Sequence, residues 1–383
     1  MDGPITMAAT SALCFALVSA VVYLLLGSAK QHGDEMKITQ LYVYPVKGIR
    51  GCALKKALIG PHGVVGDRTF CLQKVQRDDE GVKYDTMLIG YHLQMALFAA
   101  TSVDYAKGQV VVAWNGRGTD FDVAKDITTP DTISFPLKPS TTGCEKMEVN
   151  LHGSKTLAYD MGQDLATWFA DRLGFEVRLV FIGDGSRPVL GSLAPNSSAG
   201  LKRARLVNRI RSFFPFLAYP GERLAFNDIA HYLVVTEESN NDVSSRLEDG
   251  CKMDVTKFRP NIVVKGASAA YVEDFWGELT FAGGLKMPLT ANCYRCQSIT
   301  VDYETGATAT DDRGMAWKKL NKNRRVDKGA KYSPVFGRYG YCFGAATGKT
   351  LEIGQGVGVT HVNPNRTTFD WPLLTTFGTS QKK

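Results

Sequence analysis

Short apolar runs broken by Gly, Pro and Asn or Asp dominate the chain, and few stretches keep a helical period. Residues 38 to 46 alternate and end in Tyr44-Pro45-Val46-Lys47-Gly48, which predicts a strand running into a turn. Gly66-Asp67-Arg68 leads into a second strand, Thr69 to Leu72. Gln109 to Trp114 reads as a short buried strand. Asp160-Met161-Gly162-Gln163 resembles a capping box, with Leu165, Trp168, Phe169 and Leu173 at helical spacing and Gly174 where a C-terminal cap belongs. Phe175 to Ile182 returns to strand. Beyond a stretch of Gly, Ser, Pro and Arg, further strands are expected at 232–235, 262–264, 339–343 and 350–353. Ser239 is expected to cap a helix carrying Val243 and Leu247 and ending at Gly250. The residues after the cysteine motif, Gln297 to Asp302, read as strand. The balance is an α+β, β-rich chain with few helices.

One run departs from this pattern. Residues 8 to 26 carry no charge, and as helix they span roughly 28 Å, close to a bilayer core. No Lys or Arg precedes them, which argues against a secretory signal peptide. Lys30 and Lys37 follow, so the positive-inside rule keeps the body in the cytosol. The chain therefore divides into an anchor (1–35), a first folded unit (36–182), a basic insertion or linker (183–225), a second unit (226–360) and a tail (361–383). A basic amphipathic turn is expected near 210–216.

At 44% apolar and 22% charged, the composition is globular, and 38 glycines suit a fold of many turns. The net charge of +7 is concentrated in two runs, one at Lys202, Arg203, Arg205, Arg209 and Arg211, the other from Lys318 to Lys331. Either is a solvated surface, or a face for anionic lipid or an acidic protein. Neither is interleaved with stacking aromatics, which disfavours nucleic acid. The 8 cysteines are mostly isolated, so a disulfide framework is not indicated and a reducing compartment is.

Two of those cysteines form Cys293-Tyr294-Arg295-Cys296. On its own the motif fits a zinc half-site, a redox dithiol, a soft-metal ligand or two inert thiols. No second C-x-x-C accompanies it, and there is no P-loop, dinucleotide fingerprint or nucleophile elbow. Lys47, Arg68, Arg259 and Arg295 stand at strand-to-turn junctions. Brought together they would cage a phosphate or another polyanion; apart, each is an ordinary ion-paired residue. His62, His152 and His231 are candidate general acids, or structural residues.

Read in order, Tyr44-Pro45-Val46-Lys47, Gly66-Asp67-Arg68, residues 257–264 from Lys257-Phe258-Arg259-Pro260-Asn261, Cys293-Tyr294-Arg295-Cys296 with Thr300-Val301-Asp302, and Ser333 to Gly337 resemble the molybdenum cofactor sulfurase C-terminal (MOSC) family. The resemblance runs from about Met36 to Val359. It implies an N-terminal β-barrel domain packed on a MOSC β-barrel, preceded here by the anchor helix. It also implies a molybdopterin-type molybdenum cofactor between the two, with Cys296 as metal ligand and catalytic residue. The cofactor-binding positions that match are Lys47, Gly48, Arg68, Arg259, Asn261 and Arg295, with Thr236 and Ser239 as further candidates. Gly48 stands where relatives often carry Ser. The implied activity is reduction of N-hydroxylated compounds, amidoximes and hydroxylamines, with electrons from NADH through cytochrome b5 reductase and cytochrome b5. The alternative is a cofactor carrier or sulfur-transfer protein without turnover; no pyridoxal phosphate domain is evident. The membrane implied is the mitochondrial outer membrane, with the endoplasmic reticulum or peroxisome as alternatives.

Overall fold

A computed structural model describes residues 36–115, 131–195, 222–342 and 346–376. The anchor helix expected at 8–26 and the basic run at 202–211 lie outside these residues. Among the described residues no helix is long and apolar enough to cross a membrane.

Seven strands close on themselves into a barrel, because Ile262–Lys265 pairs both with Tyr232–Thr236 and with Met36–Val43. The circuit continues through Val335–Gly340, Leu285–Tyr294, Trp276–Phe281 and Gly356–Val362, which returns to Met36–Val43; Cys52–Leu54 adds to that strand. Only the pair Tyr232–Thr236 with Ile262–Lys265 is parallel. These strands read as apolar runs because the barrel interior buries residues such as Ile38, Val234, Val264 and Leu289. The first strand of the chain's N-terminal half is thus a stave of the C-terminal barrel.

The other half holds an antiparallel sheet ordered Lys146–Leu151, Ser154–Asp160, Val177–Phe181, Phe70–Asp78, Gly81–Thr86, and a three-stranded sheet, Phe98–Asp104, Gln109–Trp114 and Asp131–Pro136. The helix α1 (Gln163–Leu173) packs Ala166 and Phe169 into the core between them. It ends as expected on Gly174 in the left-handed conformation (φ 78°). Its N-terminus differs from the expectation. Asp160 accepts from the Gly162 amide at 2.9 Å, one step too early, and no side chain caps the helix.

Other expectations are corrected by packing. The helix α2 (Glu237–Ser245) is capped by Thr236, which accepts from the Ser239 amide at 3.1 Å, so Ser239 lies inside the first turn. The residues after Cys296 form a 3-10 turn, Gln297–Thr300, and it is the strand before the motif, Leu285–Tyr294, that delivers the cysteines. The second basic run contains the helix α3 (Ala316–Asn323). Arg324 at its end is buried and paired with Asp274 at 2.7 Å, so this cation is no part of a solvated face. At the start of the expected linker, Arg187–Pro188 pairs with Arg223–Leu224. The presumed tail carries fully buried Phe369 and Trp371, and Trp371 Nε1 donates to the His152 carbonyl at 2.7 Å, tying it to the first unit.

Candidate functional site

The turn Lys47-Gly48, Arg68 after its Gly-Asp turn, and Arg259 with Asn261 before strand Ile262–Lys265 all arrive at the seam between the two halves. There Arg68, Asn227, Asp228, Arg259, Asn261 and Arg295 help line one cleft. The convergence that sequence left open is therefore present for Arg68, Arg259, Asn261 and Arg295.

Both Arg68 (φ 50°) and Arg259 (φ 58°) have left-handed backbones, which place consecutive groups on the cleft side at the cost of some strain. The two guanidinium groups share one aromatic ring: each lies 4.6 Å from the centroid of Tyr44. Arg68 donates to Asp67 at 2.5 Å, to Asn261 Oδ1 at 3.2 Å and to the Arg259 carbonyl at 3.1 Å. Asp67 is itself fixed by the Tyr44 amide at 2.8 Å. Burial would lower the pKa of Arg68, but Asp67 outweighs it and the net direction is up. Among the described residues Arg259 has no carboxylate within ion-pair distance. It donates to the Ile49 carbonyl at 2.6 Å, and burial together with the neighbouring Arg68 lowers its pKa.

Buried Lys47 donates to the Phe226 carbonyl at 3.1 Å and to Asp228, and His152 reaches the same carboxylate at 3.3 Å. Burial lowers the ammonium pKa against the pull of Asp228. The Asp228 side chain is 48% exposed, and Lys47 and His152 hold its carboxyl well below the usual carboxylate range.

The two cysteines are unequal. Cys293 is buried and accepts from Arg295 Nη1 at 2.9 Å, whereas Cys296 is exposed, with its sulfur 3.0 Å from Ser298 Oγ. Arg295 is buried, and Cys293 raises its pKa against burial. Among the described residues its Nε has no partner, and neither does Asn227 Oδ1. Among the described residues no three His, Cys, Asp or Glu side chains gather around a common metal position.

Three expected residues lie elsewhere. Thr236 and Ser239 are engaged in a buried network that ends on Glu273, with Ser239 Oγ donating to it at 2.6 Å. Burial raises the Glu273 pKa to about 7. Gly48 (φ 88°) does not line the cleft; a Cβ there would meet Met95 Cε at 2.4 Å and sit 3.7 Å from the Ile89 amide nitrogen. A serine at this position would be strained, so the glycine answers to the turn. Tyr44, Asn227 and Asp228 were missed. The Asx pair beside Phe226 has no periodicity to mark it, and Tyr44, though it opens the first motif, carries no expected role of its own there.

An anionic group with several acceptor oxygens fits this cleft. Three guanidinium groups face one lining carboxylate, and an N–H of Arg295 is free, which is the complement of a phosphate-bearing ligand. Cys296, one residue on, offers an accessible soft donor beside it.

Comparison with known proteins agrees with this architecture. The MOSC domain matches residues 221–359 and the MOSC N-terminal beta barrel domain residues 35–176. The chain is 36% identical to mitochondrial amidoxime reducing component 2 of Bos taurus over 79% of its length and 77% of the relative's. It is 27% identical to mitochondrial amidoxime-reducing component 1 of Mus musculus, covering 84% and 81%. Molybdenum cofactor sulfurase of Solanum lycopersicum is 22% identical over 70% of this chain but only 29% of that protein. With both domains in order, and long matches to proteins of the same two-domain length, the chain belongs to the MOSC-domain family that includes the amidoxime-reducing components.

Proposed function

We propose that the chain is a molybdenum-cofactor-dependent reductase of N-hydroxylated compounds, amidoximes and hydroxylamines. The observation that carries this is the cation-rich cleft, in which the unpaired Arg295 N–H stands one residue from the exposed Cys296. The names of the relatives supply the reaction class.

In this reading Cys296 is the metal ligand, and Arg68, Arg259 and Arg295, with Asn261 and Lys47, hold the anionic cofactor. When bound, such a cofactor supplies two-electron oxygen-atom chemistry. The protein's part is electrostatic and positional. Arg295 is oriented by its bond to the buried Cys293 and leaves Nε toward an acceptor. Arg68 is pinned by Asp67 and Asn261, so its charge needs no reorganisation when a ligand arrives. Asp228, which lines the cleft, holds the Lys47 ammonium behind it and also bonds His152. Electrons come from NADH through cytochrome b5 reductase and cytochrome b5. In this reading residues 8–26 anchor the chain in the mitochondrial outer membrane with its body in the cytosol; the relatives' names support the mitochondrial part alone.

The test is the full chain purified with its cofactor, assayed for bound molybdenum and for benzamidoxime reduction by cytochrome b5 and its reductase. Loaded but inactive protein would leave a carrier instead. Cys296→Ser should abolish turnover while Cys293→Ser keeps much of it; equal loss in both would point to a dithiol.

A further inference from the structure

The turn at 88–92 belongs to the N-terminal domain but reaches across to the cysteine site. Leu88 and Ile89 pack against that domain's core beside buried Met87. The Leu88 carbonyl closes the turn by accepting from the Tyr91 amide at 2.9 Å and the His92 amide at 3.1 Å. The His92 ring lies 5.9 Å from that of Phe175. One end of this rigid turn abuts Gly48, through the Ile89 nitrogen. At its tip, a Cβ on Gly90 would stand 3.5 Å from Cys296 Sγ and 4.0 Å from its Cβ. Gly90 is exposed and has no positive φ, so its backbone accepts any residue; what glycine provides is open space at the sulfur. Next to it Tyr91 is 83% exposed, the most exposed large apolar side chain among the described residues.

We infer that the turn at 88–92 is the substrate-facing wall of the Cys296 site, where Gly90 sets the clearance at the sulfur and Tyr91 is a stacking ring for planar aromatic N-hydroxylated substrates. The substrate class rests on the reductase reading; the wall does not. An exposed tyrosine beside a reactive centre loses little side-chain entropy on stacking and gains dispersion with a flat ring. A domain with no metal ligand of its own thereby sets which substrates approach.

Two variants of the full chain test this. In cofactor-free protein, Gly90→Val should slow iodoacetamide alkylation of Cys296, followed by peptide mass spectrometry, about fivefold or more, because the branched side chain fills the approach to the sulfur. In loaded enzyme, Tyr91→Ala should raise KM for benzamidoxime about fivefold while kcat, molybdenum content and KM for an aliphatic hydroxylamine stay near wild type. Unchanged alkylation in Gly90→Val overturns the wall. Loss of molybdenum in Tyr91→Ala, or an equal KM rise for both substrates, overturns the stacking role. If wild type reduces neither compound, the substrate class falls with the reductase reading, and the alkylation rates still decide the wall.

Discussion

Two groups of buried arginines do opposite things in this molecule. Arg187, fully buried, points its three nitrogens at the carbonyls of Ala225, Leu151 and Asn227. Arg338, also fully buried, bonds Asn292, Thr367 and the carbonyls of Trp276 and Leu289. Both act as staples between strands, and burial lowers both pKa values to about 10. At the cleft, by contrast, Arg259 and Arg295 make one side-chain hydrogen bond each, whereas Arg338 makes four although its own Nε is also without a partner. Burial is similar in kind, so burial alone does not identify a binding residue. The difference lies in how much donor capacity the fold itself has consumed.

The comparison breaks most clearly at Arg187. Arg187→Met should cost about 3–5 kcal/mol of stability in denaturant melts, since it strands carbonyls at about 1–3 kcal/mol each. If cofactor content fell without loss of stability, the staple role would be wrong.

A second test is the sealed carboxyl of Glu273. Its folded pKa of about 7 lies above its ordinary 4.5, so the folded state holds an extra proton between those values. The stability this group allows is complete below pH 4.5 and is lost as pH rises through 7. Glu273→Gln should therefore gain on wild type by about 2–3 kcal/mol between pH 5 and 7, from about 2 pH units at 1.36 kcal/mol each, and no further above pH 8. A constant difference across that range would show that Glu273 does not titrate there.

The smallest stability effect is expected at the cleft. Arg259→Gly relieves a left-handed backbone while losing one hydrogen bond and the contact with Tyr44, so it should move stability by no more than about 1 kcal/mol. Bound molybdenum should nonetheless fall several-fold, read on purified protein. Stability loss matching that of Arg187→Met would erase the distinction between the two groups.

Legibility in the sequence followed the same divide. Strands such as Gln109–Trp114 and the Gly174 helix stop were readable because apolar runs and a left-handed cap are local signals. Arg68, Arg259, Asn261 and Arg295 were found through motifs, although their meeting depends on contacts between residues some 200 positions apart. Thr236 and Ser239 misled because a hydroxyl that caps a helix looks the same in sequence as one that binds a ligand. Arg324 was hidden in a basic run because the carboxylate that buries it, Asp274, is remote in sequence. Phe369 and Trp371 sit in a stretch with no period, where burial comes from docking rather than from a regular element.

The strand Met36–Val43 also constrains anyone who would cut this protein. Because it lies between Ile262–Lys265 and Gly356–Val362, a fragment beginning near residue 226 would lack a stave and expose two open sheet edges. Such a fragment would pair with itself or aggregate, however complete its family match looks. Chimeras that exchange the N-terminal half between relatives should therefore keep the first strand with the C-terminal barrel, splicing after it and not at the obvious midpoint.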